Sequence, residues 1–97
     1  MHCVMRTYSG KGAVELFEML SKRTADIEKE LRGKVPGIVN YTLLKTADGG
    51  VTITTCKDKA GTDTSVKVAA NWVKANSAGI NASAPEVTEG EVLSHFN

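Results

Sequence analysis

The stretch from Ile38 to Asp58, IVNYTLLKTADGGVTITTCKD, decides the fold of this chain. It contains two runs rich in Val, Ile, Thr, Tyr and Leu, the residue types that favour strands, and the tetrapeptide ADGG at positions 47–50 separates them. Asp-Gly-Gly is typical of a hairpin turn, because glycine readily adopts the positive φ that such turns need. The stretch therefore predicts a β-hairpin in the middle of the chain.

The segments on either side of the hairpin are nearly symmetric. The alternating run HCVMRTY predicts a first strand from His2 to Tyr8. A single long helix from about Ala13 to Arg32 is predicted by an apolar stripe on one helical face: Leu16, Leu20, Ile27 and Leu31. A second helix is expected from Asp58 to about Ser77, with Trp72 at the edge of a buried stripe formed by Val66, Ala70 and Val73. A closing strand is expected over Glu86 to Phe96. The predicted order of elements is βαββαβ.

This order, with right-handed crossovers, predicts a ferredoxin-like α+β fold: an antiparallel sheet with strand order 4-1-3-2 and two helices on one face. At 97 residues the chain is expected to form one domain spanning 1–97. Both faces of the hairpin carry bulky apolar side chains, so the sheet face without helices needs a cover. The simplest cover is a second copy of the chain about a two-fold axis, which predicts a homodimer.

Composition excludes several classes of partner. Twelve Lys and Arg against 11 Asp and Glu give a net charge of +1 with the two signs interspersed, which argues against nucleic acid as a partner. No apolar run approaches the roughly 18 residues of a membrane span, and the first residues do not read as a secretory signal, so no membrane partner and a cytoplasmic location are expected. The two cysteines, Cys3 and Cys56, have no metal-ligand spacing, so no metal site is predicted. They are interpreted as reduced thiols at one end of the sheet, and their proximity is left open.

Three stretches carry a resemblance to a known family: YTLLKTADGGVTITTCKD at 41–58, AANWVKAN at 69–76 and PEVTEGEVLSHF at 85–96. With them the chain resembles a bacterial family of small proteins in the dimeric α/β-barrel group, related to the antibiotic-biosynthesis monooxygenases. The resemblance implies a homodimer whose sheets pack face to face as a barrel, with the C-terminal strands helping to lock the subunits. It also implies a small-molecule cavity between the helices and the sheet.

The resemblance implies one of two functions and leaves open whether the chain is an enzyme. The first is a cofactor-free monooxygenase-like enzyme acting on a small aromatic substrate, and the alternative is a non-catalytic small-ligand-binding or stress-related dimeric module. Haem-degrading members use an Asn, a Trp and a His, with the His on the second helix. Here that helix offers Asn71 and Trp72 but no histidine, which argues against haem degradation. No cofactor is therefore predicted.

The candidate ligand-binding residues are polar or aromatic side chains at positions that can face such a cavity: Asn40, Tyr41, Asn71, Trp72, Arg6 and His95. Each has a structural alternative. For Trp72 a packing anchor or interface residue is the stronger expectation, and for Tyr41 a core or interface tyrosine with a bonded hydroxyl. Arg6 is a candidate for binding an anionic ligand, but a cross-strand ion pair with Glu89 or Glu91 is the stronger expectation.

The two histidines, His2 and His95, have the only side chains whose ordinary pKa lies near neutrality, which makes them the candidate general bases. Both lie near the ends of the chain, so solvated side chains are the stronger expectation for both. No catalytic residue is assigned, because no Ser-His-Asp, Cys-His or phosphate-cradling glycine pattern is present.

Overall fold

The computed structural model describes residues 1–96, and its elements follow the predicted order except that the first helix is divided in two. The elements are β1 (His2–Ser9), α1 (Ala13–Lys22), α2 (Thr24–Lys34), β2 (Ile38–Thr46), β3 (Gly49–Cys56), α3 (Lys59–Asn76) and β4 (Glu86–Glu91). The strands form one antiparallel sheet in the order β2-β3-β1-β4. This is the predicted order 4-1-3-2 seen from the opposite edge, so the ferredoxin-like α+β fold is confirmed.

The predicted hairpin forms, and Gly49 has the expected positive φ, 157°, but neither glycine lies in the turn itself. Thr46 pairs with Gly49, so the turn consists of residues 47 and 48, and both glycines belong to β3. A side chain at Gly50 would overlap the ring of Phe17, which is fully buried in α1. Gly50 is therefore needed because α1 lies directly on the strand, and the absence of a Cβ lets the ring pack there.

The prediction of one continuous helix from Ala13 to Arg32 is wrong, because Arg23 interrupts it. Arg23 has φ −122° and ψ 24°, and its N–H donates to the Leu20 carbonyl at 3.0 Å, three residues back. Its guanidinium contacts the Trp72 ring at 5.2 Å and donates to Asn76 at 3.2 Å, both on α3. Arg23 therefore contacts α3 at the point where the helix is interrupted. The prediction of one helix used only the periodicity of apolar residues, which does not report such contacts.

The division leaves the predicted apolar stripe intact. The four residues of the stripe, Leu16, Leu20, Ile27 and Leu31, are all buried. The first two belong to α1 and the other two to α2. The stripe therefore predicted the core correctly, whereas the number of helices on the sheet is three and not two.

The buried side of helix α3 differs in part from the sequence prediction. Of the predicted Val66, Ala70 and Val73, Val73 packs against the core but Ala70 is exposed, and the fully buried side chains are Thr62 and Ser65. The reason is close packing at the start of the helix, where a Cβ at Gly61 would lie 2.7 Å from the Pro36 carbonyl oxygen. Small residues let this end of the helix approach the sheet closely. A prediction based on hydrophobicity does not detect this requirement for small side chains.

Cys3 and Cys56 lie at the same end of the sheet but on opposite faces. Cys56 pairs with His2, and Cys3 with Thr55, so the two cysteines are offset by one residue in the register. Successive side chains of a strand point to opposite sides, which directs Cys56 toward the helices and Cys3 away from them. Burial raises the pKa of the Cys56 thiol, and the negative charge of Asp58 raises it further.

We therefore expect Cys56 to be inert in the folded protein, because a buried, protonated thiol is a poor nucleophile. Ellman's reagent should detect at most one thiol per chain under native conditions and two in urea. Rapid reaction of two thiols per chain in the native protein would contradict this placement of Cys56.

The sheet face opposite the helices is rich in exposed apolar side chains. Met5 on β1 is 39% exposed and Leu44 on β2 is 49% exposed. The C-terminal segment adds two more, since Leu93 and Phe96 are 92% and 88% exposed. β4 ends at Glu91, short of the predicted Phe96, and these two residues lie beyond its end.

Candidate functional site

A cleft of about 300 Å³ opens between α2 and the edge strand β2. It exists because α2 packs mainly against α3, which leaves the inner face of β2 partly uncovered. The cleft is lined by Thr24, Ile27, Glu28, Leu31 and Arg32 from α2 and by Ile38, Val39, Asn40, Tyr41 and Leu43 from β2. Its walls are thus largely apolar, with polar groups at the rim, which is the usual character of a small-molecule site.

A β-bulge at the start of β2 sets which side chains face this cleft. Ile38 pairs with Cys56 and Asn40 with Thr55, so Val39 is an extra residue in the strand. Simple alternation places Ile38 and Tyr41 on opposite faces, whereas both pack against the core in the structure. The bulge therefore brings them to the same face, a common role of bulges near binding sites.

The cleft leads toward a smaller recess of about 20 Å³ between the sheet and the helices. Ile27, Leu31 and Tyr41 line both spaces, so the cleft and the recess adjoin at these side chains. The recess is also lined by Arg6, Tyr8, Leu20, Glu30, Thr52, Ala69, Trp72 and Val73. Three aromatic side chains and one guanidinium thus meet around a space no larger than a single polar group or one water molecule.

Arg6 lies at the base of this recess and is only 5% exposed. The Nε of Arg6 donates to Thr52 Oγ1 at 3.2 Å, and the guanidinium carbon lies 5.7 Å from the centre of the Tyr8 ring. The predicted ion pair with Glu89 or Glu91 is wrong, because Arg6 is opposite Val87 in the β1–β4 register. Glu89 lies instead within 3.5 Å of both His2 and Lys59.

The pKa of Tyr41 is raised, and the main cause is burial of its hydroxyl. The positive charge of Arg6 acts in the opposite direction, while Tyr8 adds to the increase. The phenol is therefore protonated at neutral pH and can donate a hydrogen bond to a ligand, but it does not serve as a base.

Trp72 occupies the wall of the recess on α3, at the edge of the packed face as the sequence predicted. Its ring is half-buried and contacts the guanidinium of Arg23 on its other side. Asn76, one turn later, accepts from Arg23 and donates to the Trp72 carbonyl at 2.8 Å. These contacts join Trp72 and Asn76 of α3 to Arg23, which lies between α1 and α2.

The other sequence-predicted residues lie apart from this centre. Asn40 lines the outer cleft. Asn71 is exposed on α3 and lines neither the cleft nor the recess, and His95 is exposed in the C-terminal segment. The structure thus brings Arg6, Tyr41 and Trp72 together, with Asn40 at the entrance. Sequence reasoning missed Thr52 and Glu30.

His2 is half-buried and hydrogen-bonded, which corrects the expectation of a solvated side chain. Its Nδ1 lies 2.7 Å from Thr62 Oγ1, and the Thr62 hydroxyl donates to the Lys59 carbonyl at 3.0 Å. The other ring nitrogen, Nε2, lies 3.5 Å from the Glu89 carboxylate. His2 therefore ties β1 to α3 and lies away from the recess.

Over residues 1–96, no cluster of three or more His, Cys, Asp or Glu side chains is arranged to hold a metal ion. In the same range, no helix has the length and apolar character needed to cross a membrane.

Comparison of the coordinates with solved structures finds several close matches in fold. A protein of unknown function from Nitrosomonas europaea, NE2512, matches with a TM-score of 0.70 at 19% identity, over 99% of this chain and 91% of that one. HapK from Hahella chejuensis matches with a TM-score of 0.69 at 16% identity, over 100% and 97% of the two chains. The chain has the fold of these proteins.

A third match is a monooxygenase from the gene ActVA-Orf6 of Streptomyces coelicolor, solved in complex with nanaomycin D. Its TM-score is 0.65 at 14% identity, over 99% of this chain and 89% of that one. No family model and no curated protein matches the sequence. The fold expected from the resemblance to the antibiotic-biosynthesis-monooxygenase group is thereby confirmed.

Proposed function

We propose that this protein is a homodimeric, cytoplasmic, cofactor-free monooxygenase-like enzyme that binds a small aromatic substrate in the cleft and the adjoining recess. The observation that carries the proposal is the position of Tyr8, Tyr41 and Trp72 around a recess that adjoins an open apolar cleft. A volume of about 300 Å³ is at the lower end of the range for ligand pockets, which favours a compact ligand. The recess is too small for a ring, so the planar ring of the substrate lies in the cleft against Tyr41, which lines both spaces. A polar substituent of that ring reaches Tyr8 and Trp72 in the recess.

The similarity in fold to a monooxygenase solved in complex with a small molecule supports the same proposal. The reaction that fits is oxidation of a phenolic ring system at an activated CH₂ group. The substrate loses a proton from carbon, its carbanion supplies electrons to O₂, and a C–O bond forms. One oxygen atom stays in the product as a carbonyl and the other leaves in water, so that R₂CH₂ and O₂ give R₂CO and H₂O.

The homodimer is proposed from the apolar sheet face and the C-terminal segment. Met5, Leu44, Leu93 and Phe96 are all exposed in the single chain, although they belong to one small domain. Exposed apolar surface of this kind is typical of an interface. Pairing two such faces about a two-fold axis would cover both copies at once.

Oxygen consumption with an anthrone tests the enzymatic proposal, because an anthrone has an activated CH₂ group between phenolic rings. With dithranol and ¹⁸O₂, we expect one labelled oxygen atom in each quinone formed. Replacing Trp72 with Leu removes a wall of the recess and should lower kcat/KM by about tenfold or more, the range expected for a misplaced substrate. Lys74→Ala, an exposed change on the same helix, should leave the rate unchanged.

A non-catalytic ligand-binding protein is the second candidate, and a specific observation favours it. The two carboxylates at the cleft and recess, Glu28 and Glu30, are paired with Arg32 and Lys34 at 2.8 Å in each case. No histidine lines either space within residues 1–96, and Tyr41 is held neutral. Saturable binding of dithranol with no oxygen uptake above the uncatalysed rate would support this candidate and contradict the enzyme.

A further inference from the structure

Arg6 is a buried cation without a counterion. None of the ion pairs within residues 1–96 includes it, so no described carboxylate lies within 4.0 Å of its guanidinium nitrogens. The hydrogen bond found for this side chain in the same range is the one from Nε to Thr52. A guanidinium has five N–H donors, so most of its hydrogen-bonding capacity is unused.

The unused donors face the recess. Every fully sealed side-chain nitrogen or oxygen among the described residues has a hydrogen-bond partner. The terminal amino groups of Arg6 have no partner in that range, so they are not sealed, and the recess is the space that this side chain lines. The donors therefore point to the place where the polar end of a ligand would lie.

The charges around Arg6 do not compensate it. Glu30 on α2 borders the recess, but its carboxylate is held by Lys34 at 2.8 Å. The neighbouring strand β4 presents Val87 opposite Arg6, and β3 presents Thr52. The remaining neighbours in the recess are neutral aromatic or aliphatic side chains. A cation buried in such surroundings is costly unless an anion reaches it.

We propose that Arg6 binds an anionic oxygen of the aromatic ligand, supplied by an ionised phenol or enol or by a carboxylate. The ring of the ligand then lies in the cleft, and the Tyr41 hydroxyl, which is a donor, is available as a second contact at the wall of the recess. This inference rests on the proposed binding of an aromatic molecule at the same site and names the chemical group by which it is held.

The charge of Arg6 also favours ionisation of a bound phenol in a site where no histidine of residues 1–96 is present to act as a base. A nearby positive charge lowers the pKa of a hydroxyl, because it stabilises the oxyanion. Burial opposes this effect, as it does at Tyr41, so a phenol bound against Arg6 ionises more readily than one held in the same recess without the charge. The proton is released to solvent through the open cleft, and the electron-rich phenolate stays in the site.

Two matched pairs of probes test the proposal by calorimetry. The first pair is 4-nitrophenol, measured at a pH where it is ionised, and its neutral methyl ether 4-nitroanisole; the second is 2-naphthoate and the neutral 2-naphthamide. In the wild-type protein each anion should bind about ten to a hundred times more tightly than its neutral partner, the range expected for a charge-assisted hydrogen bond. The two pairs separate a phenolate from a carboxylate as the preferred source of the anion.

Two variants make the test specific to the guanidinium. Arg6→Gln should abolish the preference for the anions while leaving the neutral probes within about twofold, because it removes the charge and keeps a polar side chain. Arg6→Lys should retain part of the preference, since it keeps the positive charge but loses the planar pair of donors that a guanidinium presents to an anion. Circular dichroism tests whether each variant is folded. If Arg6→Gln does not fold, the comparison of anion preference is made between Arg6→Lys and the wild type.

The outcomes distinguish this inference from the proposed function. Binding of all four probes with no preference for anions, or a preference unchanged in Arg6→Gln, would overturn the role of Arg6 and leave an aromatic site in place. Failure of every probe to bind would overturn the role of Arg6 and the proposed aromatic site together. Loss of the anion preference in Arg6→Gln alone supports the assignment.

Discussion

Replacing Ile53 with Lys is expected to convert the proposed dimer into a monomer at micromolar concentration. Ile53 lies near the middle of β3, opposite Met5 on β1 and Thr42 on β2, on the sheet face without helices. In a two-fold dimer formed through this face, the substitution places a positive charge in each of two apposed apolar surfaces. Desolvation of each charge costs several kcal/mol, which is a large part of the free energy of a micromolar dimer.

Sedimentation velocity measures this effect directly. The wild-type chain of 10.3 kDa should sediment with twice its chain mass, and Ile53→Lys with the mass of one chain. Ala70→Lys is the matched control, because it adds the same charge to an exposed position of α3. A wild-type monomer at tens of micromolar, or a dimer unaffected by Ile53→Lys, would contradict the proposed interface.

Replacing Gly50 with Ala is expected to destabilise the fold by about 3 kcal/mol, at the upper end of the usual cost of overpacking. The added Cβ would overlap the Phe17 ring, which belongs to the fully buried core. Tyr8, which is paired with Gly50 in the sheet, packs against the Phe17 ring with the ring centres 5.5 Å apart, so the ring has no space to shift toward β1. Relief therefore requires α1 to lift away from the sheet.

Urea denaturation measures the change, with Gly33→Ala as its control. Gly33 lies on the exposed side of α2, and no atom lies within 4 Å of the position of an added Cβ. Since alanine is the better helix former, Gly33→Ala should raise the free energy of unfolding by about 0.5 to 1 kcal/mol. Equal free energies of unfolding for Gly50→Ala and the wild type would contradict the packing of Phe17 on the strand.

The strands and the core could be predicted from sequence because they follow from local pattern. The hairpin around residues 47–50 and the stripe of Leu16, Leu20, Ile27 and Leu31 depend on β-propensity, turn chemistry and helical period. The interruption at Arg23 depends on contacts with Trp72 and Asn76, which are about 50 residues away in the sequence. No local pattern reports a contact over that distance, so the helix was predicted to be continuous.

The residues of the candidate site could be selected from the sequence, but their arrangement in space could not. Tyr41, Trp72 and Arg6 could be selected by residue type and by strand or helix position. Their convergence depends on the bulge at Val39 and on the packing of α2 against α3. The missing counterion of Arg6 depends on a register that places Val87, and not Glu89, opposite it. A shift of two residues in that pairing would place Glu89 opposite Arg6 and allow an ion pair, whereas the observed pairing leaves the cation facing the recess.

The cleft and the recess together are proposed to bind one aromatic molecule. The chain contains a single tryptophan, Trp72, and it lines the recess, so its fluorescence responds to a molecule bound there. Titration with 4-nitrophenol should quench that fluorescence along a saturable curve with one site per chain. Quenching that increases linearly with concentration, with no saturation up to millimolar probe, would contradict the claim.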